Sequence, residues 1–158
     1  MPTLRLVDYL REDLVLWDLP GSDKPSFMKA LAAAVAARLP DLNEQELLDR
    51  IMAREAEQST GVGGGLALPH AMLPDLEQIV LAVGRAREAL DFDAADSKPV
   101  DLVFLLLGPP DASTEHLRLL ARLARIFTSE TALETLRGAT APQELFRALL
   151  EEDARRVY

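Results

Sequence analysis

The pattern of apolar and polar positions near the start of the chain predicts one strand and two helices. Residues 14–17 are typical of a strand at the edge of a sheet. Apolar residues at the helical period then predict a helix over residues 25–39, which Pro40 ends. Asn43, followed by an acidic turn, is typical of a capped helix start, and this second helix is expected to fade near residues 54–57.

Two almost continuously apolar runs follow, at residues 79–84 and 100–107. Such runs are typical of strands that are covered on both faces. The residues between them, 86–99, are acidic and irregular and predict at most one short strand. We therefore expect the first of the two strands to end at Gly84 and the second before Gly108.

The pattern after residue 108 is helical. Asp111 or Ser113 is expected to cap a helix that extends to about Phe127, and shorter helices are expected near residues 130–137 and 142–152. Charged side chains in the first of these helices are spaced as one solvated face: Glu115, Arg118, Arg122 and Arg125.

Helices that lie between continuous apolar strands predict an α/β fold, a layered sheet covered by helices on both faces. The 158 residues predict a single domain over residues 1–158. Ligands of such sheets tend to bind beyond the carboxyl ends of strands. His70 ends one predicted strand and His116 begins the helix after another, so both are expected at one rim if the strand order permits it.

Composition narrows the class of protein. The chain has no cysteine, which excludes disulfide scaffolds, thiolate zinc sites and cysteine nucleophiles. No apolar run approaches the ~20 residues that span a bilayer, and the charged start has no signal-peptide pattern, so we expect a cytoplasmic protein without direct membrane insertion. A net charge of −9 argues against nucleic acid as a partner. The same charge favours a basic protein partner or simply keeps the protein soluble, and both explanations stay open.

The glycine-rich stretch at residues 59–70 is the candidate site. Its glycines lack the Gly-Lys-Ser/Thr ending of a nucleotide P-loop, and they follow a helix, unlike a dinucleotide fingerprint. The two histidines, His70 and His116, match no metal-ligand spacing. We therefore expect neither a metal nor a cofactor.

Three side chains are candidates for chemistry, each with a structural alternative. His70 suits a nucleophile toward phosphorus or a general base, or a histidine bonded to the backbone at a strand end. His116 lies at a helix start, where the partial positive charge disfavours imidazolium and favours phosphate, so it suits a phosphate stabiliser or a structural role. Arg54 suits an anion clamp or the complement of a helix C-terminus.

Several of these residues together resemble a known family. Arg54-Glu55, the Ser-Thr-Gly-Val-Gly of residues 59–63 and the Gly-Leu-Ala-Leu-Pro-His of residues 65–70 resemble the active-site signature of enzyme IIA proteins of the bacterial phosphotransferase system. The class is that of fructose and mannitol, which includes the nitrogen-related regulator. His116-Leu117 resembles the helix that bears its second histidine, and the likeness extends from about residue 5 to 152.

The resemblance implies a phosphohistidine carrier with a central mixed β-sheet covered by helices on both faces. His70 would accept a phosphoryl group from an HPr-like carrier, and His116 would stabilise the bound phosphate without metal or nucleotide. Residues expected to contact phosphate or partner are Arg54, Ser59, Thr60, Gly61, Gly63, Gly64 and Gly65. Backbone N–H groups of the glycines are expected to act as phosphate donors. The chain departs from the family pattern at Ala71, where glycine is frequent.

Three roles fit this resemblance. The chain begins at Met1 without a fused IIB or membrane segment, which favours a free-standing regulatory IIA protein. The first alternative is a sugar-transport IIA protein that passes phosphate to a IIB domain. The second is a binding module whose phosphorylation state controls an ion transporter or a sensor kinase.

Overall fold

One mixed sheet forms the centre of the molecule. The computed structural model describes residues 4–156, so both ends of the predicted domain, residues 1–3 and 157–158, lie outside the described part. The strands are β1 (Leu10–Leu19), β2 (Gly61–Gly63), β3 (Leu66–Ala67), β4 (His70–Met72), β5 (Val80–Leu90) and β6 (Val100–Gly108).

The strand order is β1-β5-β6-β3-β2, and β4 pairs with β6 beyond β3. β1 is parallel to β5, whereas β5 and β6 are antiparallel. β3 and β4 both run parallel to β6. The predicted mixed sheet and the predicted edge position of the first strand are therefore confirmed.

Helices cover both faces of this sheet, as predicted. They are α1 (Lys24–Arg38), α2 (Glu44–Glu57), α3 (Ser113–Phe127), α4 (Glu130–Arg137) and α5 (Pro142–Ala154). Leu31 of α1 and Ile51 of α2 pack in one buried cluster, with Leu105 of β6. Leu123 of α3 packs in a second cluster on the opposite face, with Leu106 of β6. Within residues 4–156, no helix combines the length and apolar character needed to cross a bilayer.

Helix capping is confirmed at α2 and wrong at α3. The Asn43 side chain accepts a hydrogen bond from the backbone N–H of Glu46, as expected of an N-cap. Neither Asp111 nor Ser113 caps α3: a short 3₁₀ turn over Pro110–Ala112 runs directly into the helix, and Ala112 holds the cap position. Alanine has no side-chain acceptor, so the start of α3 keeps N–H groups without a side-chain cap.

Strand β5 is longer than its apolar run predicts. It continues past Gly84 to Leu90, with Arg85 opposite Leu102 and, after a shift of register, Leu90 opposite Val100 of β6. The run of charged residues after Gly84 hides this extension, because Arg87 and Glu88 are exposed and interrupt the apolar pattern.

The predicted solvated face of α3 is wrong at Arg122. This side chain is buried and forms an ion pair with Asp153 of α5, which is also buried. Asp153 accepts a further hydrogen bond from the backbone N–H of Leu6, at 2.8 Å. The pair therefore fixes α5 against α3 and the start of the chain.

Candidate functional site

His70 lies on a broken sheet edge near the carboxyl end of β6. β3 and β4 continue one another along β6, and the intervening Pro69, which has no N–H, accepts a hydrogen bond from Leu106 N at 3.0 Å. His70 opens β4, opposite Leu106, so the predicted strand end at His70 is wrong. Paired residues share a face. His70 therefore faces the α3 side of the sheet, as Leu106 does.

His116 reaches the same rim from the helix that follows β6. It is the fourth residue of α3 and is buried, with 4% of its surface exposed. The ring centroids of His70 and His116 lie 5.4 Å apart, with an angle of 68° between the ring planes. The expectation that both histidines meet at one rim is confirmed.

Hydrogen bonds fix the tautomer of His70. Arg54 Nε lies 3.0 Å from His70 Nε2, and a guanidinium can only donate, so Nε2 accepts. The ring proton then lies on Nδ1, which donates to the carbonyl oxygen of Leu68 at 3.1 Å. His70 thus presents the lone pair of Nε2 toward Arg54.

Arg54 complements the C-terminus of α2, one of the two roles that its position in the sequence left open, and it also contacts His70. Its Nη1 donates to the carbonyl oxygen of Gln58 just beyond α2, at 3.0 Å, which complements the helix C-terminus. Its Nε donates to His70, so a cation also lies at the imidazole. One turn earlier, Arg50 Nη1 donates to the carbonyl oxygen of Met72. Two arginines of one α2 face therefore contact β4.

His116 is neutral at physiological pH. Burial, with the neighbouring His70 as a smaller cause, lowers its pKa from the ordinary 6.5 to about 4. Its Nε2 is buried and has no hydrogen-bond partner in the described part of the chain. An unpaired buried polar atom is costly, and here it lies beside His70 near a helix start that has no side-chain cap. An oxyanion placed between the two rings would satisfy it.

Ser59, Thr60 and Gly61 form hydrogen bonds within the protein. Thr60 N and Oγ1 both donate to the buried Glu55, and Ser59 Oγ donates to the carbonyl oxygen of Phe92. Gly61 N donates to Ser59 Oγ at 3.1 Å. Because these donors already have partners within the protein, they are not available to a phosphate in this arrangement.

The turn of Gly63, Gly64 and Gly65 lies away from the histidines, contrary to expectation. Gly65 accepts from the backbone at Asp101 and Leu102, and His70 lies opposite Leu106, about 13 Å further along β6 at the usual strand rise.

The exposed N–H of Gly64 is engaged at that distant end. It donates to Asp96, and Arg137 contacts the Gly64 carbonyl. The positive φ angles of the three glycines, +96°, +65° and +79°, explain the residue type as turn geometry.

Sequence reasoning missed the carbonyl of Leu68 and the carboxylate of Glu55. A backbone carbonyl leaves no sequence signal. Glu55 does leave one: it follows Leu47 and Ile51 at intervals of four, on the buried stripe of α2. An acidic residue on an apolar helix face needs a partner, which points to a buried polar contact.

Ala71 fits the site without strain. Within residues 4–156 the positive φ angles outside glycine occur at Asp18, Asp93 and Ser97, so Ala71 has an ordinary backbone. It pairs with Leu107 and its side chain is buried on the α2 side of the sheet. The alanine therefore packs in the core and leaves His70 in place.

The site unites a nucleophilic nitrogen, a cation and a neutral polar group that lacks a partner. Such a set suits transfer of an anionic group to His70. A sequence model described as "Phosphoenolpyruvate-dependent sugar phosphotransferase system, EIIA 2" matches residues 8–152. The Nitrogen regulatory protein of Pseudomonas aeruginosa is 34% identical over 148 residues, covering 94% of this chain and 96% of that protein.

Solved structures agree. Nitrogen Regulatory Protein IIA-Ntr from Neisseria meningitidis superposes with a TM-score of 0.84 at 31% identity, covering 91% of this chain and 98% of that chain. The complex of mannitol enzyme IIA with phosphorylated enzyme IIB from Escherichia coli shares the fold, with a TM-score of 0.71 at 15% identity, covering 90% and 99%. The predicted family and its phosphocarrier function class are confirmed: the chain belongs to the EIIA type-2 family of the phosphoenolpyruvate-dependent sugar phosphotransferase system.

Proposed function

We propose that His70 Nε2 is the phosphoryl acceptor and that an HPr-like phosphohistidine carrier is the donor. The observation that carries the proposal is the hydrogen bond from Nδ1 to the Leu68 carbonyl, which leaves the lone pair on Nε2. This lone pair attacks phosphorus, the N–P bond of the donor breaks, and the donor imidazole leaves with the electron pair. The ring gains positive charge as the new N–P bond forms, and the Leu68 carbonyl stabilises that charge through Nδ1–H.

Arg54 is both the resting partner of Nε2 and the cation for the phosphoryl group. Its Nε occupies the lone pair at 3.0 Å, so it must shift before attack. The guanidinium has five donors, and those not used by Gln58 can then bind phosphoryl oxygens. Charge-assisted bonds of this kind stabilise the transferring group where its negative charge is concentrated.

His116 donates to a phosphoryl oxygen as a neutral imidazole. Its low pKa of about 4 keeps it from acting as a proton carrier near neutral pH. Its Nε2, which is buried without a partner, gains a hydrogen bond when phosphate enters. The gain of this hydrogen bond favours the phosphorylated state.

We propose a regulatory role in the cytoplasm, and the names of two relatives support the regulatory part. Both the Pseudomonas relative and the Neisseria structure are nitrogen regulatory proteins. In this role the phosphorylation state of His70 controls binding to an ion transporter or a sensor kinase, and the protein turns over no small molecule. The alternative is transfer to a IIB domain, which the sugar-specific description of the family favours.

Phosphorylation with phosphoenolpyruvate, the first enzyme of the relay and HPr tests the acceptor. Label is expected in the wild type and absent from His70→Ala, with ³¹P and ¹⁵N NMR locating it on Nε2. His116→Ala, which removes the other of the two histidines, should still take label, only more slowly, because its acceptor His70 is intact. Full labelling of His70→Ala, or label on Nδ1, contradicts the proposal. Rapid loss of label to a purified IIB domain would favour the sugar-transport role over the regulatory one.

A further inference from the structure

Glu55 is a buried carboxylate at the point where several segments meet behind His70. It lies in the last turn of α2, directly after Arg54, with 6% of its surface exposed. Three donors converge on it: Thr60 N at 2.9 Å, Thr60 Oγ1 at 2.5 Å and Lys24 Nζ at 2.8 Å. Lys24 is the first residue of α1, so α1, α2 and the segment at Thr60 are joined by this carboxylate.

This carboxylate is connected to both ring nitrogens of His70, through Thr60 on one side and through the neighbouring Arg54 on the other. On one side Thr60 O accepts from Leu68 N at 2.9 Å, and Leu68 O accepts from His70 Nδ1. On the other side Arg54, the chain neighbour of Glu55, donates to His70 Nε2. The path is closed: it leaves Glu55 through Thr60 and returns to it through the backbone of Arg54.

We propose that Glu55 is a positioning residue that sets the tautomer and the orientation of His70, a role that rests on the proposed function of His70 as phosphoryl acceptor. By holding Thr60 it fixes the Leu68 carbonyl that keeps the proton on Nδ1. By holding the end of α2 it fixes the backbone from which Arg54 reaches Nε2. Glu55 therefore acts through its neighbours and does not contact the reacting atoms.

The position needs acceptors. Oε2 of Glu55 accepts from the Thr60 N–H and from the Lys24 ammonium, and Oε1 accepts from the Thr60 hydroxyl. A glutamine can keep all three contacts if its NH₂ donates to the hydroxyl, whereas a methionine of similar length has no strong acceptor and loses them all. Lys24 would keep its ring contact with Phe92, at 4.7 Å, and its longer contact with Asp93, at 3.7 Å.

NMR of the unphosphorylated full-length protein tests the proposal without any phosphotransfer. In the wild type the two ring ¹⁵N shifts of His70 should be far apart, as expected of one dominant tautomer. Glu55→Met should bring them together and slow phosphorylation by HPr about tenfold, since small misplacements of reacting groups are costly. Glu152→Met is the matched control: Glu152 is also buried and ion-paired, but it lies in α5 and its partners are Arg155 and Arg156, just after that helix.

Thr60 supplies a second pair of variants, which keeps the test valid if Glu55→Met does not fold. Thr60→Val removes the Oγ1 bond and should show the same ¹⁵N change, whereas Thr60→Ser should keep the wild-type shifts and rate. Unchanged shifts and rate in folded Glu55→Met or in Thr60→Val overturn the proposal. That result leaves His70 as the acceptor, whereas persistent labelling of His70→Ala overturns the proposed function itself.

Discussion

The rings of His70 and His116 meet edge to face, 5.4 Å apart, yet no hydrogen bond joins them to each other among the described contacts. His70 is held through both of its nitrogens, whereas His116 has an unpaired Nε2. This difference fits the roles that we propose for them: His70 is held in one orientation for attack, and the unpaired Nε2 of His116 is available to a phosphoryl oxygen.

Replacing His116 should slow transfer without unfolding the protein. His116→Ala removes one donor to the phosphoryl group, and loss of a single preorganised donor commonly costs about 10²-fold in rate. His116→Gln, which keeps an N–H donor, should recover part of that loss. Rates of transfer from phosphorylated HPr measure both. Equal rates for wild type and His116→Ala would remove its stabilising role.

His116 should not titrate near neutral pH. Its folded pKa of about 4 lies below the ordinary 6.5, so the unfolded state binds the proton first as pH falls. Above about pH 7 His116 is neutral in both states and the folded protein keeps its full stability. As pH falls from 7 toward 4, protonation of His116 in the unfolded state lowers the free energy of unfolding. Between pH 7 and 5 the loss should be about 2 kcal/mol in the free energy of unfolding. Urea denaturation at both pH values checks this, and His116→Gln should lack that part of the pH dependence.

Substitution of Arg54 should reduce transfer even when the charge is kept. Arg54→Lys supplies a point charge without the planar set of donors, and we expect a loss of about tenfold, with about 10²-fold for Arg54→Ala. Arg50→Ala is the control, because Arg50 lies one turn away and contacts β4 through the Met72 carbonyl. A similar loss in Arg50→Ala would mean that the effect comes from docking of α2 and not from phosphate.

Gly64 should matter for stability and not for transfer. It has a φ of +65° with no atom within 4 Å of an added Cβ, so Gly64→Ala meets only the backbone penalty of about 1 kcal/mol. Gly64→Asn, which tolerates this conformation, should cost less. Chemical denaturation gives the stability, and phosphorylation kinetics should be unchanged in both variants. If either variant folds normally but transfers phosphate slowly, the glycine turn does take part in the site and the prediction is wrong.

The buried strands were predictable because their apolar runs are long and continuous. The strand predicted over residues 100–107 is β6, which ends one residue later, at Gly108. The approach of His70 to His116 was predicted from the rule that ligands bind at the carboxyl ends of strands. The charged end of β5 was not predictable, since pairing there depends on backbone bonds to β6 and not on side-chain pattern.

Long-range partners account for the other differences. Arg122 has the spacing of an exposed residue, and only the position of Asp153 in the folded chain reveals its burial. The glycines at 63–65 are adjacent to His70 in sequence, but β3 carries the chain along β6 between them. Their closeness to His70 in the sequence therefore does not place them beside His70 in the fold.

The position of His70 on a sheet edge gives the site access to both helical layers. Arg54 comes from α2 on one face, and His116 comes from α3 on the other. A phosphoryl group bound by both would act as a removable cross-link between the two helical layers. Its arrival would then stiffen the whole rim, so that a partner could distinguish the two states by the mobility of α2 and α3 as well as by charge.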